Sequence, residues 1–137
     1  MENSRLFKLN VISPERVFYE GDVEMVELKT TEGEMGVYKS HIPLTAILSP
    51  GVLKIHEEGE VKKAALHEGI VRILGDSITI LAESCEWPNE IDGNRAKEAK
   101  IRAERRLKSA EAEINISRAE LALHKSLIRI ELADKDN

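Results

Sequence analysis

The side chains that most often carry catalysis are present in this sequence, but they form no familiar catalytic pattern. The four histidines (His41, His56, His67 and His124) are scattered along the chain, and three of them fall in predicted strands or helix. The single cysteine, Cys85, lies near the end of a predicted strand, where a buried thiol is more common than a nucleophile. The sequence has no glycine-rich phosphate loop, no Cys-x-x-Cys, no His-Glu-x-x-His and no Gly-x-Ser-x-Gly. We therefore expect neither an enzyme nor a metal site.

A cluster of positive charge is the strongest chemical feature of the sequence. Residues 95–108 hold seven basic side chains and two acidic ones. Such a cluster would attract phosphates or an acidic partner surface. The ordinary alternative is a solvated helix face with intrahelical ion pairs. Binding to duplex nucleic acid is disfavoured because the whole chain is acidic and no aromatic side chain lies among these basic residues.

The arginines of this cluster could contribute to a pocket. Arg95 and Arg102 are seven residues apart, which places them near one face of a helix. Lys125 and Arg129, four apart, would line one edge of a second helix. If the two helices fold back on each other, these cations converge near Arg102 and form a pocket the size of a polyphosphate.

Two carboxylates would lie close to such a pocket. Phosphate would be repelled by a carboxylate, so Asp92 and Glu86 would better accept a hydrogen bond from the amine of a base, or orient Arg95. Asp92 is also a good helix N-cap, and a cap combined with an ion pair to Arg95 is the ordinary alternative.

Charge and composition divide the chain into two parts. The 137 residues carry a formal charge of −5, which is the sum of −7 over residues 1–90 and +2 over residues 91–137. All four prolines and seven of the eight glycines precede residue 91. The 42% hydrophobic content excludes a disordered chain, and the 33% charged content excludes a membrane-embedded one.

The first part of the chain has the pattern of a β-structure. Short apolar or alternating runs recur between turn residues, and Gly21-Asp22 is one of the predicted turns. Many short strands at this spacing favour an antiparallel sandwich or barrel. The predicted strands cover residues 6–12, 23–28, 52–56, 61–66, 70–74 and 78–81.

The second part has the pattern of helix, because neither glycine nor proline occurs after residue 93. Two stripes follow helical spacing, and the alanines of the first would allow close approach of a partner helix. The periodicity leaves open whether two antiparallel helices bury these stripes on each other or one long helix lays both along a partner. The stripes are Ala96, Ala99, Ala103, Leu107 and Ala110, followed by Ile116, Ala119, Leu123, Leu127 and Ile130.

Several motifs, in the same order, resemble those of a known family. Residues 33–37 (GEMGV) and 40–44 (SHIPL) are similar to a signature of the epsilon subunit of F-type ATP synthases. Residues 91–96 (IDGNRA) fit the Ile/Leu-Asp-x-x-Arg-Ala motif of its bacterial members. Residues 103–107 and 118–123 resemble the helices of that subunit, so the resemblance covers nearly the whole chain.

The resemblance implies a fold and a role. It implies an antiparallel β-sandwich of about ten strands over residues 1–86, a linker at 87–90 and an antiparallel two-helix hairpin over 91–137. The sandwich would bind the gamma subunit and the c-ring and help couple proton or sodium flow to ATP synthesis. The helices would either stay folded or extend along gamma toward the alpha and beta subunits, where they inhibit ATP hydrolysis. The protein would be non-catalytic and peripheral, at the cytoplasmic face of a bacterial cell membrane.

The resemblance also assigns candidate site residues. ATP would be a regulatory ligand that is not hydrolysed and that stabilises the folded hairpin, and Mg²⁺ can accompany it although the sequence offers no carboxylate cage. Lysine at position 125, where the family often has arginine, keeps the charge but loses the planar fork. By position, the ATP residues are Glu86, Ile91, Asp92, Arg95, Ala96, Arg102, Lys125 and Arg129.

Further family positions concern protein partners. Arg105, Arg106 and Arg118 match residues that meet an acidic segment of a beta subunit. Glu34 and His41 match a sandwich loop near gamma and the c-ring. Two other functions remain open: a free-standing ATP sensor that uses the same pocket, and a nucleic-acid-binding module that uses the basic helix.

Overall fold

The computed structural model describes residues 5–109 and 112–136, with side chains through residue 133. Ala110, which we placed in the first helical stripe, lies outside the described residues. The chain divides into two compact units, Met1–Cys85 and Glu86–Asn137. The first unit is built of strands and the second of helices.

Ten strands make up the N-terminal fold, which confirms the predicted β-sandwich. Six of them match the six predicted ranges to within two residues at each end, and the other four lie where the apolar pattern predicted no strand. The strands are β1 (Phe7–Ile12), β2 (Val17–Val23), β3 (Met25–Thr30), β4 (Gly33–Val37), β5 (Leu44–Leu48), β6 (Gly51–Glu57), β7 (Glu60–Leu66), β8 (Gly69–Leu74), β9 (Ser77–Ala82) and β10 (Cys85–Glu86).

The strands are hydrogen-bonded in the order β10-β7-β6-β3-β5-β8-β9-β1-β2, with β4 paired to β3. Among the pairings whose register is described, all but one are antiparallel, as predicted. The exception is β1 with β9, which run parallel with Leu9 opposite Ile78 and Val11 opposite Ile80. The sequence pattern does not distinguish the two orientations, because the side chains alternate in the same way in both.

Aliphatic side chains from alternate strand positions fill the core of the sandwich. Leu9, Val26, Leu53 and Ile80 are fully buried, and each comes from a different strand. Burying one such side chain stabilises the fold by about 1.5–3 kcal/mol, so a core with few aromatic residues can still support this unit.

The predicted turn at Gly21-Asp22 is wrong, because both residues lie inside β2. Gly21 leaves room for the ring of Tyr19, since a Cβ at this position would lie 2.9 Å from the Tyr19 hydroxyl. The glycine therefore serves a packing contact within a strand rather than a turn.

Tyr19 also links β2 to the hairpin formed by β6 and β7. Its hydroxyl donates a hydrogen bond to a carboxylate oxygen of Glu57, and Lys62 lies 3.3 Å from the other oxygen. Burial, together with the Glu57 carboxylate, raises the pKa of the Tyr19 phenol. The hydrogen bond from Tyr19 holds the pKa of Glu57 below its ordinary value. The pair therefore stabilises the folded chain in a pH-dependent way.

Replacing Tyr19 with phenylalanine should lower the free energy of unfolding by about 1–2 kcal/mol near neutral pH, because a hydrogen bond to a charged carboxylate is lost. The contribution of Glu57 is present above its ordinary pKa of 4.5 and is lost as the pH falls through its lower folded value. The contribution of Tyr19 is complete below its ordinary pKa of 10.0 and is lost as the pH rises toward its higher folded value. Urea unfolding at several pH values measures the difference.

Tyr38→Phe is the matched control for this change. Tyr38 is 61% exposed, so its hydroxyl already contacts water and its removal should alter the stability little at any pH. If Tyr19→Phe lowered the free energy of unfolding by the same amount at pH 3 as at pH 7, the hydrogen bond from Tyr19 to Glu57 would not be the source of the stabilisation.

The second unit contains two helices, α1 (Gly93–Ser109) and α2 (Glu113–Asp136), preceded by a short 3₁₀ helix at Pro88–Glu90. The two helices pack against each other, so of the two arrangements left open by the sequence the structure has the folded pair. They run antiparallel, since Arg129 near the end of α2 lines the same cleft as Arg95 near the start of α1.

Small side chains lie along the contact between the two helices. Ala96 and Ala103 of α1 are buried, in agreement with the first predicted stripe. The second stripe is only partly correct, because Leu127 is 43% exposed and Ser126 beside it is buried. The hydroxyl of Ser126 donates to the Leu123 carbonyl within α2 at 2.7 Å, which satisfies its polar group.

Candidate functional site

A cleft of about 490 Å³ lies within the helical unit, a size that suits a small-molecule ligand. Residues from the end of the last strand, from the 3₁₀ segment and from both helices line it. We call it the arginine pocket. Its lining residues are Glu86, Glu90, Ile91, Asp92, Arg95, Ala96, Glu98, Ala99, Arg102 and Arg129.

Asp92 ties the wall of the pocket to the start of α1. One oxygen of its carboxylate accepts hydrogen bonds from the backbone N–H groups of Asn94 at 3.0 Å and Arg95 at 3.2 Å. These bonds confirm the predicted N-cap. Asp92 is exposed and only one of its oxygens accepts these bonds, so a cap and a binding role are compatible.

Arg95 and Arg102 supply the available positive charge of the pocket. Both side chains are exposed, and neither makes a side-chain hydrogen bond or ion pair with any residue that the structure describes. The Asp92–Arg95 ion pair of the ordinary alternative is accordingly not formed, although its N-cap is. Two guanidinium groups, two helical turns apart on one face, can bind an extended anion such as a polyphosphate.

Arg129 is held differently. Its Nε donates to a carboxylate oxygen of Glu86 at 2.6 Å, and both side chains are about 70% buried. The pair joins α2 to the segment that precedes the 3₁₀ helix. Arg129 is thereby positioned at the pocket with one of its donors occupied, while its other N–H groups remain able to reach a ligand.

Two of the predicted ATP residues are apolar and form part of the pocket wall. Ala96 is buried and Ile91 is half-buried, so they offer the pocket an apolar wall with little side-chain volume near α1. The structure does not bring Lys125 to the pocket: this residue, one turn before Arg129 on α2, is not among the lining side chains. Seven of the eight predicted ATP residues therefore come together.

Sequence reasoning missed three lining residues, Glu90, Glu98 and Ala99. Glu90 accepts a hydrogen bond from the backbone N–H of Trp87 at 2.8 Å, which closes the 3₁₀ turn. Glu98 and Ala99 could have been found from spacing, because positions three and four after Arg95 share its helix face.

The remaining predicted basic residues lie elsewhere on the helices. Arg105 and Arg106 of α1 and Arg118 of α2 are exposed and do not line the arginine pocket. The structure thus places these charges where another protein surface could reach them.

Glu34 and His41 lie on either side of the end of β4. Glu34 is exposed on β4, and His41 follows in the loop that leads to β5. Nδ1 of His41 lies 2.7 Å from the Ile42 carbonyl oxygen. The preceding Ser40 has a φ of 65°, in the left-handed region that residues other than glycine adopt only rarely. Ile42 at its tip is 74% exposed.

An apolar row crosses the outer face of the sandwich, and the sequence analysis did not identify it. Cross-strand pairing aligns Ile47 with Ile70, Ile70 with Leu81, Leu81 with Ile12, and Ile12 with Val17. All except Ile12 are between 46% and 63% exposed. We call these five residues the outer apolar row. Contiguous exposed aliphatic side chains of this kind mark a protein interaction surface.

The described residues contain no group of histidine, cysteine or acidic side chains arranged to hold a metal ion. Within the same residues, neither helix has a stretch of sequence apolar enough to cross a bilayer.

Comparison with known proteins supports a family assignment. Residues 6–88 match the family described as "ATP synthase, Delta/Epsilon chain, beta-sandwich domain", and residues 89–134 match "ATP synthase, Delta/Epsilon chain, long alpha-helix domain". The chain is 42% identical over 132 residues to the ATP synthase epsilon chain of Caldanaerobacter subterraneus subsp. tengcongensis, covering 96% of each chain. It is 44% identical over 128 residues to that of Halalkalibacterium halodurans, covering 93% of this chain and 96% of the relative.

Solved structures share the fold. A chain of the Euglena gracilis mitochondrial ATP synthase, in a structure of OSCP/F1/c-ring, superposes with a TM-score of 0.82 at 22% identity, covering 97% of this chain and 84% of that one. A chain of the Tetrahymena thermophila enzyme, in its central stalk and c-ring structure, gives 0.70 at 15% identity, covering 92% and 95%. Family matches over both units and identity above 40% along nearly the whole length agree with the sequence motifs. The chain therefore belongs to the epsilon-chain family of ATP synthases.

Proposed function

We propose that this protein is a non-catalytic rotor subunit of a proton- or sodium-translocating bacterial F-type ATP synthase, and that ATP bound in its helical hairpin regulates ATP hydrolysis. The arginine pocket carries the regulatory part of the proposal, because it joins two available guanidinium groups to a capped helix start. The protein would act at the cytoplasmic face of the cell membrane, bound to the complex rather than inserted in the bilayer.

The outer apolar row and the His41 loop support docking to the rotor. The row would offer an aliphatic surface to the gamma subunit. The exposed Ile42, next to His41, and the exposed Glu34 of β4 would meet gamma and the c-ring. An apolar centre with polar groups at its rim is the usual composition of a stable interface. Through these contacts the sandwich would turn with the rotor and couple ion flow to ATP synthesis.

ATP would bind with its phosphates on Arg95 and Arg102 and its base toward Asp92 and Glu86. Guanidinium groups bind phosphate oxygens in a bidentate way, and a carboxylate oxygen can accept the amine of adenine. Mg²⁺, where present, would be held mainly by the phosphates. The pocket also includes Arg129 of α2, so it is complete only while the two helices are folded together, and ATP therefore favours the compact hairpin.

The size of this effect follows from binding linkage. ATP at 100 times its dissociation constant would favour the compact state by about 2.7 kcal/mol. That is sufficient to shift an equilibrium between two hairpin states of similar free energy. In the extended state, Arg105, Arg106 and Arg118 would contact an acidic segment of a beta subunit and hold the catalytic head inactive.

Calorimetric titration of the full chain with ATP tests the regulatory ligand. We expect heat from a single site that saturates within the millimolar range. No heat at millimolar ATP would remove ATP from the proposal and leave a structural hairpin.

Removal of residues 91–137 tests inhibition in the assembled complex. We expect ATP hydrolysis to rise when the helical unit is absent, because its cations can no longer reach the beta subunit. Hydrolysis by the complex with the full chain and with the triple variant Arg105→Ala, Arg106→Ala and Arg118→Ala provides the comparison. The triple variant retains the helices, so unchanged hydrolysis in both altered complexes would contradict the inhibitory role.

A further inference from the structure

An additional carboxylate, that of Glu98, lies in the arginine pocket between the two available cations. Glu98 is three residues after Arg95 and four before Arg102, so its side chain shares their face of α1. Its side chain is exposed rather than buried in the helix contact.

The other acidic residues of the pocket are already engaged in the local structure. Asp92 caps α1, Glu90 accepts from the backbone of Trp87, and Glu86 binds Arg129. Within the part of the chain that the structure describes, Glu98 has no hydrogen bond and no ion pair closer than 4 Å. Its negative charge is therefore not neutralised by a direct partner.

We propose that Glu98 lowers the affinity of the arginine pocket for polyphosphate, and so sets the nucleotide concentration at which the site fills. This inference rests on the proposed function, since it concerns the same ligand. A bound triphosphate on Arg95 and Arg102 would lie near the Glu98 carboxylate, and like charges at this distance repel. Glu98 also weakens the field of both guanidinium groups before any ligand arrives.

The repulsion grows with the charge of the ligand. A nucleoside triphosphate is opposed more strongly than the monophosphate, so Glu98 reduces the preference of the pocket for ATP over AMP. Because the pocket is open to solvent, salt screens the effect over about 8–10 Å. A carboxylate that instead accepted a hydrogen bond from the ribose or the base would have the opposite effect on affinity.

Titration of the full-length Glu98→Gln protein with ATP and with AMP tests the inference. Glutamine has the same shape without the charge, so we expect ATP to bind about threefold to tenfold more tightly than to the unaltered protein. The gain for AMP should be smaller, and both gains should shrink at high salt. Glu104→Gln is the matched control, because Glu104 is exposed on the same helix but does not line the pocket.

The possible outcomes separate this inference from the proposed function. Unchanged or weaker ATP binding by Glu98→Gln, with ATP binding by the unaltered protein intact, would overturn the role of Glu98 alone. An equal gain in Glu104→Gln would also overturn it, because the effect would then come from net charge. If neither the unaltered protein nor Glu98→Gln bound ATP, the proposed regulatory function would fail, and the role of Glu98 with it.

Discussion

Replacing Gly69 with alanine is expected to destabilise the sandwich strongly. A Cβ on Gly69 would lie 2.1 Å from the Leu81 carbonyl oxygen and 2.8 Å from the Ala82 Cα, which are backbone atoms of the adjacent strand β9. Because neither atom can move without breaking the β8–β9 ladder, we expect a loss of about 3 kcal/mol or more in the free energy of unfolding. The total free energy of unfolding of an ordinary domain is only about 5–15 kcal/mol. Urea unfolding of the full chain, followed by circular dichroism, measures the loss.

Gly36→Ala is the control for the loss of a strand glycine. A Cβ on Gly36 would meet only the terminal methyl group of Met25, at 2.7 Å, and that flexible side chain can turn away. We expect a change below about 1 kcal/mol. If the Gly69 and Gly36 variants unfolded at the same urea concentration, backbone crowding at β8–β9 would not be the reason for glycine at position 69.

Loss of the two available guanidinium groups should abolish most ATP binding. Arg95→Ala and Arg102→Ala each remove charge-assisted hydrogen bonds worth about 1.5–3 kcal/mol, so each should weaken ATP binding about tenfold to a hundredfold. The double variant should show no heat over the range in which the unaltered protein saturates. The ATP affinity of Arg95→Lys should lie between those of the unaltered protein and Arg95→Ala, because lysine keeps the charge without the planar fork.

Arg105→Ala controls for the general loss of positive charge from α1, since Arg105 does not line the pocket. Its ATP affinity should equal that of the unaltered protein. Equal affinity in Arg95→Ala would contradict the placement of the phosphates. Asp92→Ala alone is a poorer probe, because it also removes the N-cap at a cost of about 1 kcal/mol, whereas Asp92→Asn retains a capping side chain.

Local signals explain how much of the fold the sequence predicts. The strands at residues 70–74 and 78–81, which form β8 and β9, could be predicted because Gly75-Asp76-Ser77 separates two aliphatic runs. The start of α1 was predicted because Asp92 is a strong cap and no glycine or proline follows residue 93. The parallel β1–β9 pair was not predicted, because the choice of a distant neighbour depends on the whole sheet.

For the sites too, local spacing predicts some features, whereas others depend on the packing of distant elements. Helical spacing on α1 predicts that Arg95 and Arg102 share a face, and the structure agrees. The position of Lys125 outside the pocket depends on the rotation of α2, which periodicity alone does not define. The outer apolar row could not be predicted, because its alignment requires the register of five strands at once, and a shift of one residue would turn any strand over.

The parallel β1–β9 ladder has a consequence for how the chain folds. It joins residues 8–12 of β1 to residues 77–81 of β9, and β9 is the ninth of the ten strands to be synthesised. Loop closure over such a separation is slow compared with the pairing of adjacent hairpins. Until β9 has left the ribosome, β1 can pair only with β2 and its other edge stays open to other chains. Sandwich closure is thus a late event of synthesis, and the helices that follow need only local contacts to form.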